Sequence, residues 1–321
     1  GAVIAGPKPT DDPSEADDQA EFAKLSSELF GDGAGVHRVG QGTVYAGQSL
    51  GDAFAALGVK PDFDCAKAEM EFVHRRLTDG DIYFVDNRSD QGVSIEATFR
   101  VSGKQPELWH AETGTSEPTS FKIADGRTSV PLRLEPWGTV FVVFDTSTTE
   151  TSFVVLPVRE TSVATLSGPW TVQFEAGRGA PASTTMDALS DWSKSADPGV
   201  KYFSGAATYT NTVQASPEWF RAGARLWLDL GDVKNLAVLT VNGKEVGEAW
   251  HAPYRLDVTS TLKPGANEIK VMVVNAWVNR LIGDEQPKAA KITFADVKPY
   301  KASSPLAPSG LLGPVTVVST E

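Results

Sequence analysis

Between Arg225 and Asp284 the chain alternates apolar and polar positions with a period of two. Leu226, Leu228 and Leu230 interleave with Trp227 and Asp229, which places one apolar set on a single face of a sheet. Val238 and Thr240 lead into Asn242-Gly243. A two-residue hairpin turn needs positive φ at both central positions, and Asn-Gly supplies it. Tyr254, Leu256 and Val258 form the next alternation, ahead of the turn Lys263-Pro264-Gly265-Ala266-Asn267. Ile269, Val271 and Val273 then run to Asn275-Ala276-Trp277-Val278-Asn279-Arg280. A β-sandwich is predicted, whose loops collect Trp250, His251, Tyr254, Arg255, Trp277, Asn279 and Arg280. Flat aromatics beside amides and guanidinium groups suit sugars, which carry apolar ring faces and hydroxyl rims.

The same sandwich is expected to begin at Ser167-Gly168-Pro169-Trp170 and to take in a strand over Tyr202 to Tyr209. It closes on Gly310-Leu311-Leu312-Gly313-Pro314-Val315. Roughly 150 residues of strands with long loops fit a jelly roll. Upstream, from about Glu71, the pattern is again all β. Val93, Ile95, Ala97, Phe99 and Val101 alternate with polar residues, Asp125-Gly126 turns a hairpin, and Trp137-Gly138 leads into Val140 to Phe144. Short strands at this spacing predict a smaller, immunoglobulin-like sandwich.

Residues 1 to 62 differ. Val3 to Gly6 and Val44 to Ala46 read as strands. Ser14 to Leu29 reads as a helix with Phe22, Leu25 and Leu29 on one face, and Ser49 as the cap of a second helix carrying Leu50, Phe54 and Leu57. Gly31, Gly33 and Gly35 follow a helix rather than opening one, so they read as a helix stop and loop, not a phosphate cradle. Two strands do not make an independent covered parallel sheet. Further strands of this layer are therefore expected outside the sequence, and the chain reads as the C-terminal piece of a longer polypeptide. The expected parts are 1–65 as an α/β remnant, 66–160 as the immunoglobulin-like sandwich and 161–321 as the jelly roll.

With 321 residues, a formal net charge of -12 and no basic stripe, nucleic acid is a poor partner. No apolar run approaches the roughly 18 residues of a membrane helix, and the opening GAVIAGPKPT lacks a basic start and an apolar core. Cys65 is the single cysteine. Its acidic neighbours Asp62 and Asp64 oppose thiolate formation, which leaves it as a half-buried linker residue. The four histidines have no metal-ligand spacing. Inverting glycoside hydrolysis needs two carboxylates roughly 6.5–9.5 Å apart. Glu248 and Asp284 flank the aromatic loops, but nothing in the sequence brings them together. His74-Arg75-Arg76 is a basic cluster that fits either a contact surface or a solvated strand edge. Trp250 and Trp277 fit either sugar stacking or capping of the sandwich core, and in the second case Arg280 pairs with Asp284.

Several segments carry a family resemblance. Gly168-Pro169-Trp170-Thr171-Val172, Tyr202-Phe203-Ser204-Gly205, Leu228-Asp229-Leu230-Gly231, Val241-Asn242-Gly243-Lys244 and Gly310 to Val315 resemble the sugar-binding jelly roll of family 2 glycoside hydrolases. Phe72 to Arg76, Asp81 to Val85, Glu107-Leu108-Trp109 and Asn275 to Asp284 resemble α-L-rhamnosidases of glycoside hydrolase family 106. The resemblance implies a C-terminal accessory region of an inverting rhamnosidase, periplasmic or extracellular. The acid/base carboxylates and an active-site calcium would belong to an upstream catalytic domain of the same polypeptide. The substrate would be a rhamnose-containing glycoside or oligosaccharide. No catalytic residue is carried over. A calcium held by loop carbonyls and an Asp remains compatible with a jelly roll. The alternative is a free-standing carbohydrate-binding or adhesion protein.

Overall fold

The computed structural model describes residues 1–14, 16, 18–65 and 70–321. It divides into two units, Gly1–Val155 and Leu156–Glu321, and is mainly β.

The first unit opens with a small α/β layer. Val3–Gly6 pairs in parallel with Gly42–Ala46, which pairs antiparallel with Gly35–Val39. Helix Gln19–Phe30 is capped by Asp18, whose side chain accepts the Ala20 and Glu21 amides. Of the helix expected from Ser14, residues 15 and 17 lie outside the described residues. Gly31 ends the helix at φ 65°, and an added Cβ there would collide with the His37 ring, so glycine is required twice over. The buried positions are Ser26 and Phe30, with Leu25 half exposed, so the inward face is rotated from the one the leucines suggested. Leu50–Ala56 is capped by Ser49 as expected, yet it buries Ala53 and leaves Leu50, Phe54 and Leu57 exposed. Gly35–Val39 is a strand where the sequence predicts loop, because its glycine-rich approach carries the signature of a helix stop rather than of a strand.

Two five-stranded sheets complete the unit. One runs Ser152–Phe153, Phe121–Ala124, Arg127–Leu134, Val93–Phe99, Phe63–Asp64. The other runs Glu71–Arg76, Asp81–Asp86, Thr139–Ser147, Lys104–His110, Thr115–Pro118. Their inward residues, among them Ala97, Phe99, Val130 and Leu132 against Tyr83, Val85, Val142 and Phe144, form one core. Cys65 is half-buried and packs on it.

The second unit is a sandwich of four and six strands with a two-stranded ribbon. The four-stranded sheet runs Glu160–Thr165, Thr316–Thr320, Arg225–Asp229, Arg255–Asp257. The six-stranded sheet runs Ser183–Met186, Trp170–Phe174, Ala206–Ala215, Gly265–Val274, Leu236–Val241, Lys244–Ala249. Leu226, Leu228 and Val317 meet Val172, Tyr209, Leu239 and Val271 in its core. Asn242 and Gly243 turn the expected hairpin at φ 52° and 78°. The strand expected over Tyr202 to Tyr209 starts only at Ala206, since Pro198–Lys201 is a short helix capped by Asp197. Val278–Asp284, expected as loop, is a helix.

Candidate functional site

Register decides which loops of the second unit meet. Leu236–Val241 is antiparallel to both neighbours, with Ala237 opposite Ala249 and Leu236 opposite Val274. Both neighbouring strands therefore end beside the start of this central strand. They deliver Trp250 and the segment from Asn275 to one end of the six-stranded sheet.

Asn235, just before the central strand, ties the two loops. Its carbonyl accepts the Tyr254 hydroxyl at 3.1 Å, and its Oδ1 accepts the Ala276 amide at 3.1 Å. Asn275 is buried, donates Nδ2 to the Phe203 carbonyl and accepts the Gly205 amide at Oδ1. Ser204 Oγ donates to the Ala276 carbonyl and accepts the Arg280 amide. The fixed loop end thus rests on Asn235, Ser204 and Asn275. Sequence reasoning missed their roles, because each acts on backbone more than 40 residues away.

On this frame the candidate residues separate. Trp250 is 64% exposed and meets the His251 ring edge-on at 4.7 Å. The His251 Nδ1 donates to the Ala252 carbonyl. Trp277 is 46% exposed, with the Arg178 guanidinium over its ring. Asn279 and Arg280 point inward and are buried. Asn279 Nδ2 donates to the Ala307 carbonyl and Ser309 Oγ, fixing a distant loop. Arg280 pairs with Asp284 at 3.0 Å, one helical turn away. Arg255 lies on the four-stranded sheet, held by Glu160 at 2.9 and 3.1 Å, with its guanidinium over Trp227. Arg225 also lies over that indole and is held by Asp257.

Asp284 is also committed. It accepts the amides of Ile292 and Thr293 and the Thr293 hydroxyl. Burial pushes its carboxyl up, but these donors and the Arg280 charge outweigh it and hold the group below the usual carboxylate range. A carboxylate stabilised as the anion and filled with donors is a poor proton donor. Glu248 is exposed on Lys244–Ala249, the edge strand of its sheet. Among the described residues no three His, Cys, Asp or Glu side chains converge as a metal ligand set. A calcium ion here would have to be held mainly by backbone carbonyls.

The first unit holds a second polar constellation, beside an open depression of about 640 Å³. His74 Nδ1 faces Asp62 at 2.8 Å and Nε2 faces Asp81 at 2.9 Å, while its ring stacks on Tyr83 at 4.0 Å. Asp62 also accepts the Tyr83 hydroxyl and Arg100. Burial raises Asp62, and His74, Tyr83 and Arg100 together pull it below its ordinary value. With both ring nitrogens engaged by carboxylates and the ring stacked on Tyr83, the His74 side chain is a polar clasp between Asp62 and the strand pair Glu71–Arg76 and Asp81–Asp86. Arg75 and Arg76 are exposed on the edge strand.

Residues 1–123 match the family model of glycoside hydrolase family 106, described as alpha-L-rhamnosidase. Residues 180–302 match the glycosyl hydrolase 2 galactose-binding domain-like model. Among solved structures, the rhamnosidase from Novosphingobium sp. PP1Y is 47% identical with a TM-score of 0.90, over 99% of this chain and 31% of that one. Among curated proteins, a putative beta-glucuronidase of Formosa agariphila is 38% identical over 176 residues, 47% of this chain and 15% of that protein. The chain is thus related to the α-L-rhamnosidases and carries a galactose-binding-like domain, and it spans under a third of the length of either relative.

Proposed function

We propose that this chain is a non-catalytic accessory region of a glycoside hydrolase of the α-L-rhamnosidase kind, working beside an upstream catalytic domain of the same polypeptide. The observation that carries the reading is the likeness, at 47% identity, of almost the whole chain to less than a third of a rhamnosidase. In this reading residues 1–65 complete an α/β domain, 66–160 form the immunoglobulin-like sandwich and 161–321 the sugar-binding-like jelly roll. The setting is periplasmic or extracellular.

The site geometry supports the same conclusion. Of the two loop carboxylates, Asp284 is saturated with donors and Glu248 stands on a solvated edge. What the loop end offers is recognition: the half-open indoles of Trp250 and Trp277 on a backbone fixed by Asn235 and Asn275. These indoles are proposed to face a rhamnose-containing glycan, with the sandwiches as scaffold for the catalytic domain.

The purified chain is expected not to hydrolyse an aryl α-L-rhamnoside, while the full polypeptide does. Turnover by the chain alone that disappears in Glu248→Gln or Asp284→Asn would overturn the reading.

A further inference from the structure

We infer that Trp137, in the first unit, is a sugar-stacking platform that takes the apolar face of a pyranose ring, in addition to the loop end of the second unit that carries Trp250 and Trp277.

The turn Glu135-Pro136-Trp137-Gly138 is closed by the Gly138 amide donating to the Glu135 carbonyl at 2.9 Å. Proline fixes a negative φ at the first central position. Trp137 at the second has φ 58°. Negative then positive φ defines a type II turn, whose second central residue is ordinarily glycine or asparagine. A bulky side chain there is strained, and such strain is characteristically retained where the side chain has work to do. Packing does not explain the choice, because the indole is 64% exposed.

The surroundings hold this strained turn in one conformation. Asn87 is 1% exposed and donates Nδ2 to both the Gln91 and Glu135 carbonyls at 2.8 Å. Its amide donates to the Gly138 carbonyl, and the Trp137 amide donates to the Ser89 carbonyl. Two loops are therefore knitted around one buried amide, with the indole displayed outside. Asp90, Gln91 and Glu135 are exposed on these loops. A rigid aromatic face on loops that also carry exposed carboxylate and amide side chains matches a ring with an apolar C–H face and hydroxyls at its edge. Pre-ordering removes the entropy that a mobile side chain would lose on binding.

The test is to titrate the whole chain with methyl α-L-rhamnopyranoside and methyl β-D-galactopyranoside, following the Trp137 indole and the Ser89 and Gly138 amides by NMR. The Trp137 indole signal is assigned by its loss in Trp137→Tyr. At least one sugar is expected to shift these signals. Trp137→Tyr should keep affinity within a few-fold, and Trp137→Gly should weaken it by about tenfold or more. Trp137→Gly should also raise Tm by about 2–4 °C, since glycine relieves the positive φ. Shifts confined to Trp250 or Trp277 would leave the proposed function intact and overturn this inference. So would no shift with either sugar, or a lower Tm in Trp137→Gly, which would make the indole a packing element.

Discussion

The guanidinium carbon of Arg178 lies 4.7 Å from the centre of the Trp277 indole. Glu175 holds that guanidinium from behind with hydrogen bonds at 3.1 and 3.2 Å. One face of Trp277 is therefore already occupied by a cation, and only the other is available to a ligand. Trp250, by contrast, meets only the edge-on His251 among the ring contacts of the described residues.

The two tryptophans should therefore separate on mutation. Trp277→Ala is expected to cost about 1–2 kcal/mol through lost cation–π stacking and half-burial. Trp250→Ala should stay within about 0.5 kcal/mol of the parent, as for an exposed position. If the loop end binds a rhamnose-containing oligosaccharide, both changes weaken that binding. Thermal melting and calorimetric titration on the two variants read both quantities.

Arg280 and Asp284 form an ion pair with both side chains buried. Removing one partner leaves an uncompensated buried charge. Arg280→Ala should cost about 3–5 kcal/mol, while Arg280→Lys, which keeps a cation beside Asp284 and leaves the Ile292 and Thr293 hydrogen bonds to it intact, should cost much less. Urea unfolding of the two variants, followed by tryptophan fluorescence, measures the difference. Equal losses in both would remove the ion pair as the cause.

Asp62 has a carboxyl held below its ordinary value in the folded chain. The unfolded chain takes up this proton first as pH falls, so the stabilisation is present above the unfolded value of about 3.9 and is lost as pH drops through the lower, folded value. The deficit of Asp62→Asn relative to the parent should accordingly be largest near neutral pH and shrink below about pH 4. Urea midpoints at a series of pH values check the sign. A deficit that grows on acidification would contradict it.

Tyr209 is fully buried, stacks on Trp192 at 6.1 Å and accepts the Leu311 amide at its hydroxyl. Burial pushes its phenol well above the ordinary range, so it stays neutral at working pH. Tyr209→Phe keeps the ring and orphans a buried N–H. The expected loss is about 1–3 kcal/mol, read as a lower urea midpoint, with faster amide exchange at Leu311.

Much of this protein was legible because its cause is local. The period of two across Leu226, Leu228 and Leu230 returns as three core residues of one strand and its exit. Asn242-Gly243 turns the hairpin because those two residues tolerate the φ it needs. Ser49 caps its helix through its own oxygen and the amide of Asp52, three residues on. The loop end was legible to the extent that Trp250 and Trp277 follow strands that finish together.

Tertiary structure alone decided which polar groups serve that end. Asn279 follows the last strand as a loop residue would, yet the helix Val278–Asp284 turns it inward, onto the Ala307 carbonyl 28 residues on. Arg255 is claimed by Glu160, 95 residues away, and His74 by Asp62 and Asp81 from separate elements. The physical reason is that a backbone turn or cap is satisfied within a few residues. A buried charge or amide must instead find its partner wherever the packed layers bring one, and no short-range pattern encodes that choice.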